Sequence, residues 1–127
     1  MNVPTNLKYT ESNEWIKVEG NTGTIGITDF AQNSLSDIVF AEVVVGEGDT
    51  VGKGASIATI ESVKAAADVY TPISGKVIAI NEDLGSAPEV INSDPYGAAW
   101  LVKIELIDPA ELDGLMDAAA YEAQVQE

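Results

Sequence analysis

The stretch Glu61-Ser62-Val63-Lys64-Ala65-Ala66-Ala67-Asp68-Val69-Tyr70-Thr71-Pro72-Ile73-Ser74-Gly75-Lys76-Val77 decides how the rest of this chain is read. A strand ends near Ser62 and another starts near Ala66, which leaves Lys64 at the tip of a hairpin. The second strand stays extended up to Pro72, Ser74-Gly75-Lys76 turns, and a further strand runs over residues 77–81. A lysine at such a tip stands exposed on a rigid arm. That placement suits a modification site, since a ligase must reach the amine and the attached group must then move between active sites. Most exposed turn lysines are only solvated charges, so placement by itself assigns no role.

Outward from this hairpin, the chain reads as short strands between Gly, Asp and Asn turns. In residues 14–20, Ile16 and Val18 face one way while Lys17 and Glu19 face the other, and residues 24–28 repeat the alternation with Ile25 and Ile27. Residues 37–45 are apolar on both faces apart from Glu42, which predicts a central strand covered on both sides. A Gly-rich turn region from Gly46 runs into the strand before Lys64. Residues 100–106 alternate with Trp100, Val102, Ile104 and Leu106 inward. Strands this short and this regularly punctuated predict a mostly β fold, a small β-sandwich or flattened barrel.

Helical signals are few. Thr28 caps a turn or two over residues 29–35, and Pro88 introduces a single turn over 88–92. At the C-terminus Asp108 is a good N-cap, Pro109 suits the first helical position, and Glu111 sits where a capping-box acid belongs. Gly114 and Asp117 divide the tail into two short helices over 111–116 and 117–126, with Leu112, Leu115 and Met116 on the sheet. Gly75 and Gly97 are expected in turns that need positive φ, and Trp15 and Trp100 in the core.

With 127 residues, 46% of them hydrophobic, the chain suits one domain spanning 1–127, its core about 13–107 and a helical C-terminal segment about 108–127. There is no Cys and no His, and all six basic residues are Lys. Those absences remove Cys–His pairs, Ser–His–Asp relays, the usual zinc ligands and the bidentate Arg fork. A self-sufficient enzyme is therefore not expected. The net charge of −15 argues against nucleic acid and anionic membrane surfaces, and suits partners with basic faces. The opening residues 1–10 lack a signal peptide's basic start and apolar run. No stretch approaches the roughly 20 apolar residues of a membrane span. The zero Cys count fits a reducing compartment.

Three ordered pieces then narrow the reading: Gly48-Asp49-Thr50-Val51-Gly52-Lys53-Gly54, Glu61-Ser62-Val63-Lys64 and Pro72-Ile73-Ser74-Gly75-Lys76-Val77. Together they resemble the biotinyl and lipoyl carrier-domain pattern of a G-D-x-V-x-K-G turn, E-x-x-K and P-x-x-G-x-V. Biotinyl domains favour Met on both sides of the lysine, where this chain has Val63 and Ala65; dehydrogenase lipoyl domains usually carry Asp in place of Val63. The run Glu61 to Ala65, followed by Asp68-Val69, instead resembles the H protein of glycine cleavage. The resemblance continues through Leu7-Lys8-Tyr9, Ser12, Glu14-Trp15, Gly26 to Asp29, Ala31-Gln32, Asp37 to Phe40, Val90 to Asn92, Asp94 to Gly97 and Trp100-Leu101. It covers nearly the whole chain, the acidic helical tail included.

This resemblance implies a barrel-sandwich hybrid of the biotinyl/lipoyl type and a carrier that catalyses no step. It implies that the Lys64 ε-amine forms an amide with lipoic acid, with no metal involved. The cofactor would then supply both sulfurs, and stray protein thiols, absent here, would exchange with its dithiolane. The implied partners are the pyridoxal-phosphate glycine decarboxylase (P protein), the tetrahydrofolate-dependent aminomethyltransferase (T protein) and dihydrolipoyl dehydrogenase (L protein). A lipoate ligase or lipoyl/octanoyl transferase would load the arm. Ser12, Glu14 and Asp68 match residues that the family associates with a cleft for the loaded arm, carrying an aminomethyl group between the first two enzymes. Carboxylate and hydroxyl acceptors suit a protonated amine. Asn13 stands where many members have His, and the His often found near Phe30 and Ser34 is missing. A lipoyl-relay protein of similar sequence, or another lipoyl or biotinyl carrier, stays open as an alternative. The expected compartment is the cytoplasm in a bacterium and the mitochondrial matrix in a eukaryote.

Overall fold

The computed structural model describes residues 3–125. The first two residues of the opening segment, the outer limits of the expected domain and the predicted end of the second tail helix at Gln126 lie outside those residues. Among them, the strands are β1 (Lys8–Tyr9), β2 (Glu14–Glu19), β3 (Thr22–Ile27), β4 (Ile38–Val43), β5 (Thr50–Val51), β6 (Ser56–Ser62), β7 (Ala66–Tyr70), β8 (Gly75–Ile80) and β9 (Val102–Leu106). The helices are α1 (Asp29–Leu35), α2 (Val90–Ser93) and α3 (Ala118–Val125), and two 3-10 turns span Glu82–Gly85 and Pro109–Gly114.

A six-stranded sheet runs in the order β1-β2-β3-β9-β8-β5 and faces a three-stranded sheet, β4-β6-β7. Neighbouring strands pair antiparallel in both. Neither sheet closes on itself. Of the two forms open from the sequence, the molecule is therefore the sandwich and not the barrel.

The period-two alternation explains the core. Ile16, Ile25, Ile27, Val77, Val102 and Ile104 from the larger sheet meet Ile38, Ala41, Ile60 and Val69 from the smaller one, all buried. Burying each of the Ile and Val side chains contributes on the order of 1.5–3 kcal/mol. A second cluster docks α3 on β1 through Leu7, Tyr9, Trp15, Ala118, Tyr121 and Val125. The Tyr9 and Tyr121 rings stack there at 4.6 Å and 10°. Trp15 lies in this cluster and donates its indole N–H to the Pro95 carbonyl at 2.9 Å. Trp100 is half-buried, with the Lys103 ammonium 5.1 Å from its ring centre.

Thr28 caps α1 by accepting from Ala31 N at 3.2 Å, and the short turn after Pro88 forms as α2. The tail divides at Gly114 as expected, but its first piece is a 3-10 turn capped by Asp108. Glu111 does not close a capping box: its carboxylate accepts from Ser74 N (2.6 Å) and Ser74 Oγ (2.8 Å), fastening the tail to the start of β8. Leu112 and Leu115 pack on the main core, whereas Met116 joins the second cluster.

Two further expectations are corrected. β4 is not a covered central strand but the edge of the smaller sheet, with Val39 56% and Phe40 41% exposed. The cause is a β-bulge: Ile38 pairs with Ser62 and Phe40 with Glu61, so Val39 is the extra residue. Val39 and Phe40 are thereby turned out together, while Ile38 before them stays buried. Gly75 and Gly97 do not serve positive φ; the glycines that do are Gly20, Gly48 and Gly54. Gly75 is instead required by close approach, since a Cβ there would lie 2.0 Å from the Glu105 carbonyl oxygen on β9.

Candidate functional site

The hairpin joining β6 to β7 has Val63 and Lys64 at its tip. Ser62 N donates to the Ala65 carbonyl at 2.8 Å. The Ser62 hydroxyl donates to the same carbonyl (3.1 Å) and accepts from Lys64 N (3.2 Å) and Ala65 N (3.0 Å). Two-residue hairpin loops normally use positive φ, yet neither Val63 nor Lys64 has it. The serine side chain supplies the missing constraint, together with Val63 N donating to the Asp37 carbonyl at 3.0 Å. Lys64 is exposed, and its backbone is fixed while its side chain projects from a braced turn. The sequence places Ser62 in the motif, and a serine two residues before a turn tip is also a recognisable side-chain turn signal.

Beyond the turn, β7 forms one wall of a cleft of about 180 Å³. Ser12, Asn13, Glu14, Ser34 and Asp68 supply its polar lining, and Ile27, Leu35, Ile60, Ala67 and Val69 its apolar lining. All three residues expected in an arm cleft are thus brought together in one concavity. Asp68 is exposed and accepts from Thr59 Oγ1 at 3.2 Å. Glu14 is only 2% exposed. Its carboxylate accepts from Thr10 Oγ1 (2.5 Å), Ser12 Oγ (2.7 Å) and Tyr70 N (3.3 Å). Three donors compensate the loss of water around a buried carboxylate.

Asn13 sits between Ser12 and Glu14 at φ 71, a left-handed conformation that asparagine tolerates better than most residues. Tyr121 holds it there by donating its hydroxyl to Asn13 Oδ1 at 2.9 Å, and the same hydroxyl lies 2.6 Å from Thr28 Oγ1. Because the single Tyr121 hydroxyl proton goes to Asn13, the Thr28 hydroxyl donates to the Tyr121 oxygen. The C-terminal helix is in this way tied to the cleft wall. Thr10 and Tyr121 have no signal in the sequence short of knowing the fold. Of the positions where histidine is missing, Asn13 and Ser34 line the cleft while Phe30 packs in the second cluster.

A larger cleft, about 330 Å³, shares Ser12 and Glu14 with the smaller one and continues to Tyr9, Lys53, Tyr70, Pro72 and Met116. It begins at Tyr70, farther along β7 from the turn than Ala67 and Asp68. A strand rises about 3.4 Å per residue, and a lysine lengthened by an eight-carbon acyl chain spans about four residues of strand. The smaller cleft meets β7 at Ala67 and Asp68, three and four residues past Lys64 and within that span. At about 180 Å³ it is also below the roughly 300–1,000 Å³ of ordinary ligand pockets. Its apolar lining suits the methylenes of a slender chain, and the oxygens of Ser12, Glu14 and Asp68 are acceptors of the kind a terminal amine needs.

Among the described residues, no group of three or more His, Cys, Asp or Glu is placed to hold a metal ion. No helix among them is long and apolar enough to cross a membrane.

An antiparallel sandwich that presents one lysine on a braced hairpin, beside a cleft sized for a chain end, defines a carrier of the biotinyl/lipoyl class. The family model described as glycine cleavage H-protein matches residues 7–127, and the chain belongs to that family. The glycine cleavage system H protein of Acidobacterium capsulatum is 54% identical over 127 residues, covering 100% of this chain and 97% of that one. That of Carboxydothermus hydrogenoformans is 52% identical, covering 98% and 95%. A crystal structure of a glycine cleavage system H protein from Mycobacterium marinum superposes with a TM-score of 0.87 at 32% identity, covering 96% of this chain and 98% of that one. The family's members are lipoate carriers, and an H protein is a carrier component of the glycine cleavage system and not a catalyst.

Proposed function

We propose that Lys64 carries lipoate as an amide on its ε-amine, and that the whole chain, 1–127, acts as one carrier domain of the glycine cleavage system. It takes the aminomethyl group of glycine from glycine decarboxylase to the tetrahydrofolate-dependent aminomethyltransferase, and dihydrolipoyl dehydrogenase returns it to the oxidised state. A lipoate ligase or lipoyl/octanoyl transferase loads it. The bacterial relatives favour the cytoplasm as its compartment.

The observation that carries this reading is the braced turn at Lys64 with the Ser12–Glu14–Asp68 cleft one arm's length down the adjoining strand. When bound, the lipoyl group supplies two sulfurs that accept a one-carbon unit and are later reoxidised. The chain's own residues do the rest. Ser62 and Asp37 fix the turn so that the amine stays accessible. Ile60, Ala67 and Val69 exclude water from a chain laid along β7, and Glu14, already preorganised by three donors, draws a cationic amine to the cleft.

The test is functional. The chain acylated with lipoate should support glycine-dependent carbon dioxide release by purified glycine decarboxylase, and Lys64→Arg should reduce that to the level without carrier. Equal activity of the Lys64→Arg protein would remove the reading.

A further inference from the structure

The β4 edge is left uncovered beside the attachment turn. The bulge at Val39 turns Val39 and Phe40 out together, 56% and 41% exposed, and Val63 at the turn itself is 66% exposed. The three are physically linked, because Val63 N bonds the Asp37 carbonyl two residues before Val39. From Phe40 the surface continues into a groove of about 340 Å³ between β4 and the 3-10 turn Glu82–Gly85. Exposed β-branched and aromatic side chains on an edge strand invite aggregation unless something covers them.

We propose that the strip formed by Val63, Val39 and Phe40 is the docking surface for the enzyme that acylates Lys64. This rests on the reading of Lys64 as the attachment site. Reach selects the occupant. Before acylation the amine extends only a lysine side chain from the turn, so the acylating enzyme must close over the turn and its flank. Enzymes that use the loaded arm meet its far end and can stand off. In the step itself Nζ attacks the carbonyl carbon of an activated acyl donor such as an acyl-adenylate. The C–N bond forms, the bond from carbonyl carbon to phosphate oxygen breaks, AMP leaves, and Nζ gives up a proton to solvent. Exposed Asp37, Glu42, Glu61 and Glu82 border the strip, in a chain of net charge −15. The partner therefore presents an apolar patch with a basic rim, and Phe40, the aromatic member, is its anchor.

The experiment is acylation of the full chain by purified lipoate ligase supplied with lipoate and ATP, comparing wild type with the Val39→Ser, Phe40→Ser double variant. Acylation kcat/KM should fall at least about tenfold, mostly through a higher KM. Once both proteins are acylated to completion, reoxidation by dihydrolipoyl dehydrogenase should differ by less than about twofold. If the double variant melts far below wild type, Val63→Ser carries the test with the same expected rise in KM. Acylation within twofold of wild type overturns the proposal, and a selective loss with the dehydrogenase would hand the strip to an arm-using enzyme instead. A wild-type chain that the ligase does not acylate at Lys64 would strike the parent reading rather than this surface.

Discussion

Gly75→Ala places a methyl group where β8 and β9 come closest. The new Cβ would lie 2.0 Å from the Glu105 carbonyl oxygen and 2.5 Å from Ile104 Cγ2. Ordinary contact begins near 3.4 Å, so β8 must retreat by about 1.4 Å (3.4 − 2.0) at its first residue. The obstacle is a backbone carbonyl, which cannot rotate away as a side chain would. Overpacking of this kind costs about 1–3 kcal/mol. Separation of the strand end also weakens the Ile107 N to Ser74 O bond and the Gly75–Leu106 pairing, about 1 kcal/mol for each bond lost. A loss of about 3 kcal/mol follows, or a melting point lower by roughly 10 °C for a domain of this size. Gly52→Ala is the internal control, because nothing lies within 4 Å of its Cβ position and its φ is not positive. It should leave stability unchanged or raise it by up to about 1 kcal/mol. Thermal unfolding followed by circular dichroism compares the three proteins. A Gly75→Ala melting point within about 3 °C of wild type would refute the close-approach argument.

Tyr121→Phe keeps the stacked ring but removes the hydroxyl that joins Thr28 to Asn13. At about 0.5–1.5 kcal/mol per bond it should cost about 1–3 kcal/mol in urea unfolding, with an unchanged m-value. It should also shorten retention of the loaded arm, measured as faster hydrolysis of the one-carbon adduct. High pH should weaken the same region. Burial pushes the Tyr96 phenol up to about 12 and raises Tyr9 and Tyr121 as well. The folded chain thus holds these protons after the unfolded chain starts to release them near pH 10. That stabilisation is complete below pH 10 and is lost as pH rises toward and through 12. Urea midpoints should therefore fall progressively above pH 10, and a midpoint that holds or rises there would contradict the assigned cause.

Much of the fold was legible because the sandwich obeys a local rule. Ile25 with Ile27 and Val102 with Ile104 recur at period two along their strands, as Ile16 does with Val18, and these four and Ile16 land in the core. Thr28, Pro88 and Asp108 announced their helical turns through capping chemistry that involves only a few residues. What was hidden depends on partners far away in sequence. β4 is an edge because only β6 pairs with it, and the bulge that turns out Val39 and Phe40 is a mismatch with β6; neither is visible in a mostly apolar run. Gly75 is constrained by Glu105 and Glu111 by Ser74, pairs that no window of adjacent residues contains. At the site, Lys64, Ser12, Glu14 and Asp68 were readable through family resemblance, and the structure brings the last three into one cleft. The supports behind them, Thr10 on Glu14 and Tyr121 on Asn13, are set by the docking of β1, β2 and α3.

The most direct test of the central claim is the intact mass of the protein isolated from its native source, with any added group mapped by fragmentation. A lipoyl increment on Lys64 that disappears in Lys64→Arg is the predicted result. A biotinyl increment, or an unmodified chain that also refuses lipoate from a lipoate ligase in vitro, would contradict it.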